Sequence, residues 1–248
     1  MLLRLPRVLN ADELRQARAR LAQAAWVDGR ATAGTQSAVV KHNQQLPSQG
    51  EDAPALRALV LAALNRHALF FSAALPKKTL PPLFNRYAAP AAAPGMASTA
   101  GGDPDGGQPG PVAGDHYGAH VDGAVLHGGG LRVRADLSCT LFLSDPADYD
   151  GGELVVHGSQ GRQGFRLAAG DALLYGGGQL HEVTPVTRGA RLASFFWVES
   201  LVRGEAERRL LLDLDQQVLA LRTRLGEGPE TVALAGTYHN LLRLWADT

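Results

Sequence analysis

The chain of 248 residues contains very little cysteine and no excess of charge of either sign. Cys139 is its only cysteine, so an internal disulfide framework is excluded and a reducing compartment is favoured. Lys plus Arg and Asp plus Glu both number 24, and no basic stripe is interleaved with aromatic residues. Nucleic acid is therefore disfavoured as a partner.

Long apolar runs are absent as well. Residues 1–6 lack the sustained apolar stretch of a signal peptide. No segment approaches the roughly 18 apolar residues that a membrane-spanning helix needs. We therefore expect a cytoplasmic globular protein with no membrane partner.

Helical patterns occupy the two ends of the chain. Asn10 is a predicted N-cap, because acidic residues and then apolar residues at helical spacing follow it. A second helix is expected to begin near Asp52. Towards the C-terminus, helices are predicted for residues 205–225 and for about 237–245.

The middle of the chain has the pattern of an antiparallel β protein. Short apolar runs alternate there with glycine-rich turn signals, and such spacing is typical of a sandwich or barrel. The segments 37–42 and 80–87 also read as extended. Further strands are predicted at 137–143, 153–156, 164–167, 172–175 and in two final segments, 183–186 and from residue 191 onwards. The predicted architecture is a β core with helices before and after it.

Residues 88–114 differ from both of these regions. This stretch contains seven glycines and five prolines among 27 residues and has no apolar periodicity. Such a composition favours a disordered insertion, and an ordered lid is the alternative.

Three residues have the types and order of a metal site: His120, Asp122 and His181. A His-x-Asp pair alone is a weak motif, since the chain has eight histidines. If residues 117–125 form a strand, however, residues 120 and 122 share one face of it. Two imidazoles and one carboxylate form the facial set that leaves coordination positions of non-haem iron(II) open for substrates.

Arg191 follows His181 by ten residues and is a candidate partner for a dicarboxylic acid beside the metal, because a guanidinium matches a carboxylate in shape. We predict a hairpin with the three-residue loop 188–190, which pairs Arg191 with Thr187 on the face of His181. Gly189 or its neighbour should then have a positive φ.

The alternation of side chains along a strand also predicts which residues of the last strand face the interior. Residues 191, 193, 195 and 197 are predicted to face the interior. The apolar residues 192, 196 and 198 then face outward, which implies that helices cover that side of the sheet.

Other polar residues near these motifs receive minor roles. Tyr117 and Thr140 are candidates for hydrogen bonds to a bound oxo-acid, although packing roles are commoner for such residues. His116 and His127 are expected beside the site or in solvent. We further expect Asp136 and Glu153 to be acidic residues at turns or strand ends. Cys139 is expected to be buried and unreactive.

Several segments together resemble the bacterial PKHD-type hydroxylases, which are iron(II)- and 2-oxoglutarate-dependent relatives of prolyl 4-hydroxylases. The resemblance covers nearly the whole chain and is most specific between residues 183 and 197. The matching segments are 117–125 (YGAHVDGAV), 136–144 (DLSCTLFLS), 150–154 (DGGEL), 169–171 (AGD), 180–191 (LHEVTPVTRGAR), 193–197 (ASFFW) and 238–242 (YHNLL).

This resemblance implies a mainly β fold, a double-stranded β-helix (jelly-roll) core with a helical N-terminal region and a helical C-terminal extension. It implies a dioxygenase domain at residues 1–200, which includes the insertion at 88–114, and an extension packed on it at 201–248. It also implies that His120, Asp122 and His181 bind iron and that Arg191 binds the 2-oxoglutarate carboxylate.

The implied reaction is hydroxylation of a small-molecule or peptidyl substrate, with conversion of 2-oxoglutarate and O₂ to succinate and CO₂. Ascorbate is a further expected cofactor. A prolyl or peptidyl substrate and a siderophore-related one are both compatible with the family. Two alternatives stay open: a cupin-like metal enzyme that does not use 2-oxoglutarate, and a non-catalytic iron or oxo-acid sensor.

Overall fold

The computed structural model describes residues 1–32, 39–90 and 114–248. Most of the predicted insertion at 88–114 therefore lies outside the described residues. The described part contains five α-helices: α1 (Ala11–Gln23), α2 (Asp52–Asn65), α3 (Ala68–Ala74), α4 (Glu205–Leu225) and α5 (Pro229–Trp245).

Sixteen strands are present in the described part of the chain. In chain order they are β1 (Leu2–Leu5), β2 (Val27–Asp28), β3 (Lys41–His42), β4 (Gln44–Gln45), β5 (Pro76–Thr79), β6 (Leu83–Ala88), β7 (His116–His120), β8 (Val125–Gly128), β9 (Leu131–Arg134), β10 (Leu137–Phe142), β11 (Tyr149–Gly151), β12 (Leu154–Gly158), β13 (Gly161–Phe165), β14 (Ala172–Gly176), β15 (His181–Val183) and β16 (Val186–Ser200).

Most strands belong to two antiparallel sheets. The major sheet has the order β1-β14-β10-β16-β6-β4-β2, and β5 and β11 also pair with β16. The minor sheet has the order β13-β12-β15-β7-β3, and β8 and β9 form a separate hairpin. Apolar side chains from both sheets form one buried cluster, among them Tyr87, Phe142, Leu154 and Val183, so the sheets pack face to face. The predicted jelly-roll core is confirmed.

Helices cover the outer face of the major sheet. Asn10 caps α1 as predicted, and Glu13 completes a capping box with it. Leu21 and Leu56 from α1 and α2 pack in one buried cluster with Phe196 and Val198 of β16. The outward apolar face predicted for the last strand is therefore covered by helices.

Two helices differ from the sequence-based expectation. The last helix starts at Pro229, eight residues before the predicted start, because proline suits the first turn of a helix and Thr231 hydrogen-bonds the Gly228 amide. Helix α3 was not predicted. It is short, and His67 caps it by accepting a hydrogen bond from the Phe70 amide.

The predicted hairpin between residues 183–186 and residue 191 is wrong. Val186 to Ser200 is one continuous strand, and the break between β15 and β16 lies instead at residues 184–185, where Pro185 has no amide hydrogen to donate. The strand needs no hairpin partner, since β11 pairs with its first part and β6 with its middle part. Gly189 does have a positive φ of 68°, but it lies within the strand.

The predicted strand over residues 117–125 is correct only in part. Strand β7 ends at His120, residues 121–123 have no regular structure, and β8 begins at Val125. Asp122 therefore lies just beyond the strand end rather than on the strand. The described residues include no helix that is both long and apolar enough to cross a membrane.

Candidate metal centre

The three candidate ligands meet on the minor sheet. His120 ends β7, His181 begins β15, and the two residues are direct cross-strand partners. Nε2 of His120 lies 4.0 Å from Oδ1 of Asp122, and Nε2 of His181 lies 3.8 Å from Oδ2. All three ligand atoms lie within 4.8 Å of one another, and no other such group occurs among the residues that the structure describes.

An irregularity in β7 brings an aromatic ring against this centre. His181 pairs with His120 and Val183 pairs with Tyr117, so three steps along β7 match two steps along β15. The extra residue turns Tyr117 to the face of His120, and their rings stack with centroids 3.6 Å apart. Simple strand alternation could not have predicted this contact.

Backbone carbonyl groups orient both imidazoles. Nδ1 of His120 lies 2.8 Å from the Gly118 oxygen, and Nδ1 of His181 lies 3.0 Å from the Gln179 oxygen. A carbonyl oxygen only accepts, so each Nδ1 is the protonated nitrogen and each Nε2 keeps its lone pair for a cation. Metal-binding histidines in proteins are oriented in the same way.

The carboxylate of Asp122 is oriented by Ser138 from the major sheet. The Ser138 hydroxyl donates a hydrogen bond of 2.6 Å to Oδ2. This contact was missed by sequence reasoning, although Ser138 lies in the strand that the apolar pattern predicts. Because Ser138 belongs to β10, it connects the Asp122 carboxylate to the other sheet.

The electrostatics keep the first imidazole neutral. Burial, with a smaller contribution from His181, lowers the pKa of His120 to about 4. A neutral imidazole is the form that binds a metal ion. His120 is therefore ready to bind a cation at neutral pH.

Arg191 lies in the same cavity, although the hairpin that was expected to place it there does not exist. Its side chain is 1% exposed, and its guanidinium carbon lies 5.4 Å from the Tyr87 ring centroid and 5.1 Å from that of Phe142. Nε and Nη2 have no hydrogen-bond partner among the described residues. Two buried donors on one guanidinium have the fork geometry that complements a carboxylate.

The cavity has a volume of about 280 Å³ and is shared by the three candidate ligands and Arg191. Residues from both sheets line it, and it is more apolar than polar. Phe195 and Trp197 line it as predicted, and Tyr117 and Thr140 also reach it. Lining residues that the sequence did not point to are Lys41, Leu83, Asn85, Tyr87, Leu126, Ser138 and Tyr175.

The other candidates lie away from the metal centre or have structural partners. His116 stacks on His42 with centroids 4.6 Å apart, and His127 is exposed. Asp136 accepts hydrogen bonds from Arg134 and from the Ser200 amide. Glu153 lies just before β12. Cys139 is buried, and its burial raises the pKa of the thiol, which makes it unreactive.

The chain can be compared with known proteins on this basis. Residues 110–199 match the 2OG-Fe(II) oxygenase superfamily, and residues 205–247 match the PKHD-type hydroxylase C-terminal domain. A PKHD-type hydroxylase from Polaromonas sp. (strain JS666) is 50% identical over 250 residues and one from Nitrosomonas europaea is 48% identical, each with both chains fully covered.

A solved structure confirms the fold. The non-heme alpha ketoglutarate dependent carbocyclase SnoK from nogalamycin biosynthesis superposes with a TM-score of 0.53 at 15% identity, over 84% of this chain and 85% of that chain. The full-length likeness to the curated relatives shows the family. The chain thus belongs to the PKHD-type hydroxylases and is an iron(II)- and 2-oxoglutarate-dependent dioxygenase.

Proposed function

We propose that His120, Asp122 and His181 hold the iron(II) of this dioxygenase and that Arg191 binds the distal carboxylate of 2-oxoglutarate. The observation that carries the second assignment is the pair of buried guanidinium donors without a partner among the described residues. The first rests on three donor atoms within 4.8 Å, with both imidazoles presenting Nε2.

The residues of the cavity have different roles in the reaction. Bound iron(II), together with 2-oxoglutarate and O₂, supplies the oxidation of a substrate C–H bond. Gly118, Gln179 and Ser138 orient the three ligands through hydrogen bonds. The rings of Tyr87 and Phe142 pack beside the guanidinium of Arg191, and the apolar walls limit the entry of water.

The two alternative functions, a cupin-like enzyme and a non-catalytic sensor, explain fewer features of the site. A cupin-like enzyme without 2-oxoglutarate gives no reason to bury a guanidinium whose donors lack partners beside a metal centre. A sensor without turnover uses the same residues and differs only in reactivity. Ascorbate stays a prediction, and so does the cytoplasmic location.

The domain organisation that we propose keeps a dioxygenase domain at 1–200 and an extension at 201–248. Helices α4 and α5 pack on the core through a buried cluster that contains Leu75, Val202 and Leu211. Arg208 of α4 is buried and donates to the Val202 and Arg203 carbonyls. These contacts support an extension that is fixed to the core.

Oxygen-dependent turnover tests the proposal. The protein with iron(II), 2-oxoglutarate and O₂ should form succinate even without the primary substrate, and His181→Ala should abolish this reaction. The exposed His127→Gln is the matched control and should retain it. No succinate from the wild type, or unchanged turnover in His181→Ala, would contradict the assignment.

A further inference from the structure

The C-terminal helices α4 and α5 have no role in the chemistry described so far. None of the described residues that line the cavity comes from either helix. The two helices nevertheless expose five large apolar side chains: Leu210, Leu219, Leu225, Val232 and Leu244. Exposed apolar side chains mark a protein interface when they form a contiguous surface, so their arrangement on the helix decides what they mean.

Helix α4 has two apolar faces, and one of them packs within the chain. Leu211 and Val218 are buried and lie on that inner face. The other face is a row of residues that follow one another at spacings of three or four, so its members lie on one side of the helix. This row, which we call the leucine stripe, consists of Leu210, Leu214, Gln217, Leu221 and Leu225.

The leucine stripe is open to solvent along its length. Leu210 is 58% exposed at one end, and Leu225 is 73% exposed at the other end. Gln217 is exposed in the middle, and Leu214 and Leu221 are half-buried. From Leu210 to Leu225 the stripe measures about 22 Å, at a rise of about 1.5 Å per residue. A contiguous apolar row is more typical of an interface than of a free surface.

The order of side chains along the leucine stripe is the same from either end. Gln217 lies near the middle, with two leucines before it and two leucines after it. A second copy in the antiparallel orientation therefore brings leucine against leucine and places Gln217 close to the two-fold axis. Two glutamine side chains that meet there can hydrogen-bond each other, since each amide both donates and accepts. The stripe thus fits a second copy of itself.

Charged residues on one flank of the stripe favour the antiparallel orientation. Asp213 and Arg224 are both exposed, and they are 11 residues apart (224 − 213), about three helical turns, so they share one flank. Neither forms an ion pair with a described residue of its own chain, whereas Arg222 pairs with Glu227. In an antiparallel pair of helices, Asp213 of each copy faces Arg224 of the other. A parallel pair of helices forms neither contact.

We propose that the protein forms a homodimer in which the leucine stripe packs antiparallel against the stripe of a second copy. Asp213 of each copy then pairs with Arg224 of the other. Two helices in contact over this length bury an area at or below the low end of specific interfaces, roughly 1,200 Å². The dimer should therefore be weak and reversible. It does not depend on the proposed function, because no cavity residue takes part.

Sedimentation velocity measures the assembly directly. The wild-type protein should change from monomer to dimer between about 1 and 300 µM, the range that suits an interface of this size. Leu225→Glu should keep the protein monomeric throughout, because each dimer would bury two carboxylates among leucines. Leu219→Glu is the matched control. Leu219 is 46% exposed on the opposite side of the same helix, so this variant should still dimerise.

Charge reversal tests the antiparallel orientation. Asp213→Arg and Arg224→Asp should each weaken the homodimer roughly tenfold at low ionic strength, because each change brings like charges together at two places. An equimolar mixture of the two variants should form heterodimers, since opposite charges then face each other at both places. A mixture that associates no better than either variant alone would contradict the antiparallel orientation.

A cysteine at the centre of the stripe tests the position of the axis. Gln217→Cys should form a disulfide-linked dimer on mild oxidation, and Leu219→Cys should not. The native Cys139 is buried and does not compete. Circular dichroism confirms the fold of each variant. The proposal is overturned by a wild type that stays monomeric at about 300 µM, by a dimer that survives Leu225→Glu, or by no disulfide at residue 217.

Discussion

The two sheets that enclose the cavity contribute to it in different ways. In the major sheet, β10 is buried at every position from Leu137 to Phe142, with helices on one side and the cavity on the other. In the minor sheet, β7 contains half-buried and exposed residues, a register shift and the glycine at position 118. Packing therefore fixes Arg191, whereas hydrogen bonds from Gly118, Gln179 and Ser138 orient the three candidate ligands.

The largest effect on iron binding and turnover is expected when a candidate ligand in the minor sheet is removed. His181→Ala removes one of three donors, so iron binding and turnover should fall below detection while the helix-covered major sheet remains folded. Iron content after desalting and the circular dichroism spectrum measure the two effects. A variant that keeps stoichiometric iron would contradict the assigned ligand set.

A core substitution in the major sheet should lower the stability of the fold and leave iron binding almost unchanged. Leu141 is fully buried, so Leu141→Ala should lower the free energy of unfolding by about 2–5 kcal/mol. Iron affinity of the folded protein should change less than about twofold, since the cavity created lies away from the ligands. Urea unfolding and a metal titration on the same preparation separate these quantities. A large loss of iron affinity would mean that the sheets are not independent.

The metal-free minor sheet should also be sensitive to acid. The pKa of His120 is about 4 in the folded protein, below the value of 6.5 for a free imidazole. The unfolded state therefore takes up this proton first, and stability should fall as the pH drops from 6.5 to 4, by at most about 3 kcal/mol. The difference between wild type and His120→Gln isolates this contribution. Parallel stability profiles for the two proteins would refute it.

A smaller effect on iron affinity is expected for Ser138, which reaches from the major sheet to the candidate ligand Asp122. Ser138→Ala removes the hydrogen bond to Oδ2 of Asp122 and should weaken iron binding roughly 10- to 100-fold. Ser138→Thr keeps a hydroxyl at this position and should recover part of the affinity. Equal iron affinity in wild type and Ser138→Ala would show that Asp122 needs no support from the major sheet.

The contrast between the regularly packed major sheet and the irregular minor sheet also explains which features could be predicted from the sequence. The strands at 137–143 and 172–175 and the helix at 205–225 were predictable because apolar periodicity records which faces are buried. The candidate ligands were found because two histidines and one carboxylate form an iron(II) ligand set and because the segments around them resemble a known family.

Features that depend on strand pairing could not be found in this way. The route of residues 183–191 depends on which strands pair with β16, and those partners lie far away in sequence. The register shift that turns Tyr117 inward and the contact from Ser138 depend on long-range pairing in the same manner. Lys41 has no local pattern that would distinguish it from a surface lysine.

The central claim is that the metal and Arg191 hold 2-oxoglutarate together. Anaerobic addition of iron(II) and 2-oxoglutarate should produce a metal-to-ligand charge-transfer absorption band that saturates with one equivalent of each. In Arg191→Met the band should appear only at roughly 10- to 100-fold higher 2-oxoglutarate concentration, because the charge-assisted hydrogen bonds to the carboxylate are lost. A band that saturates equally in both proteins would contradict the role of Arg191, and no band in the wild type would contradict the site as a whole.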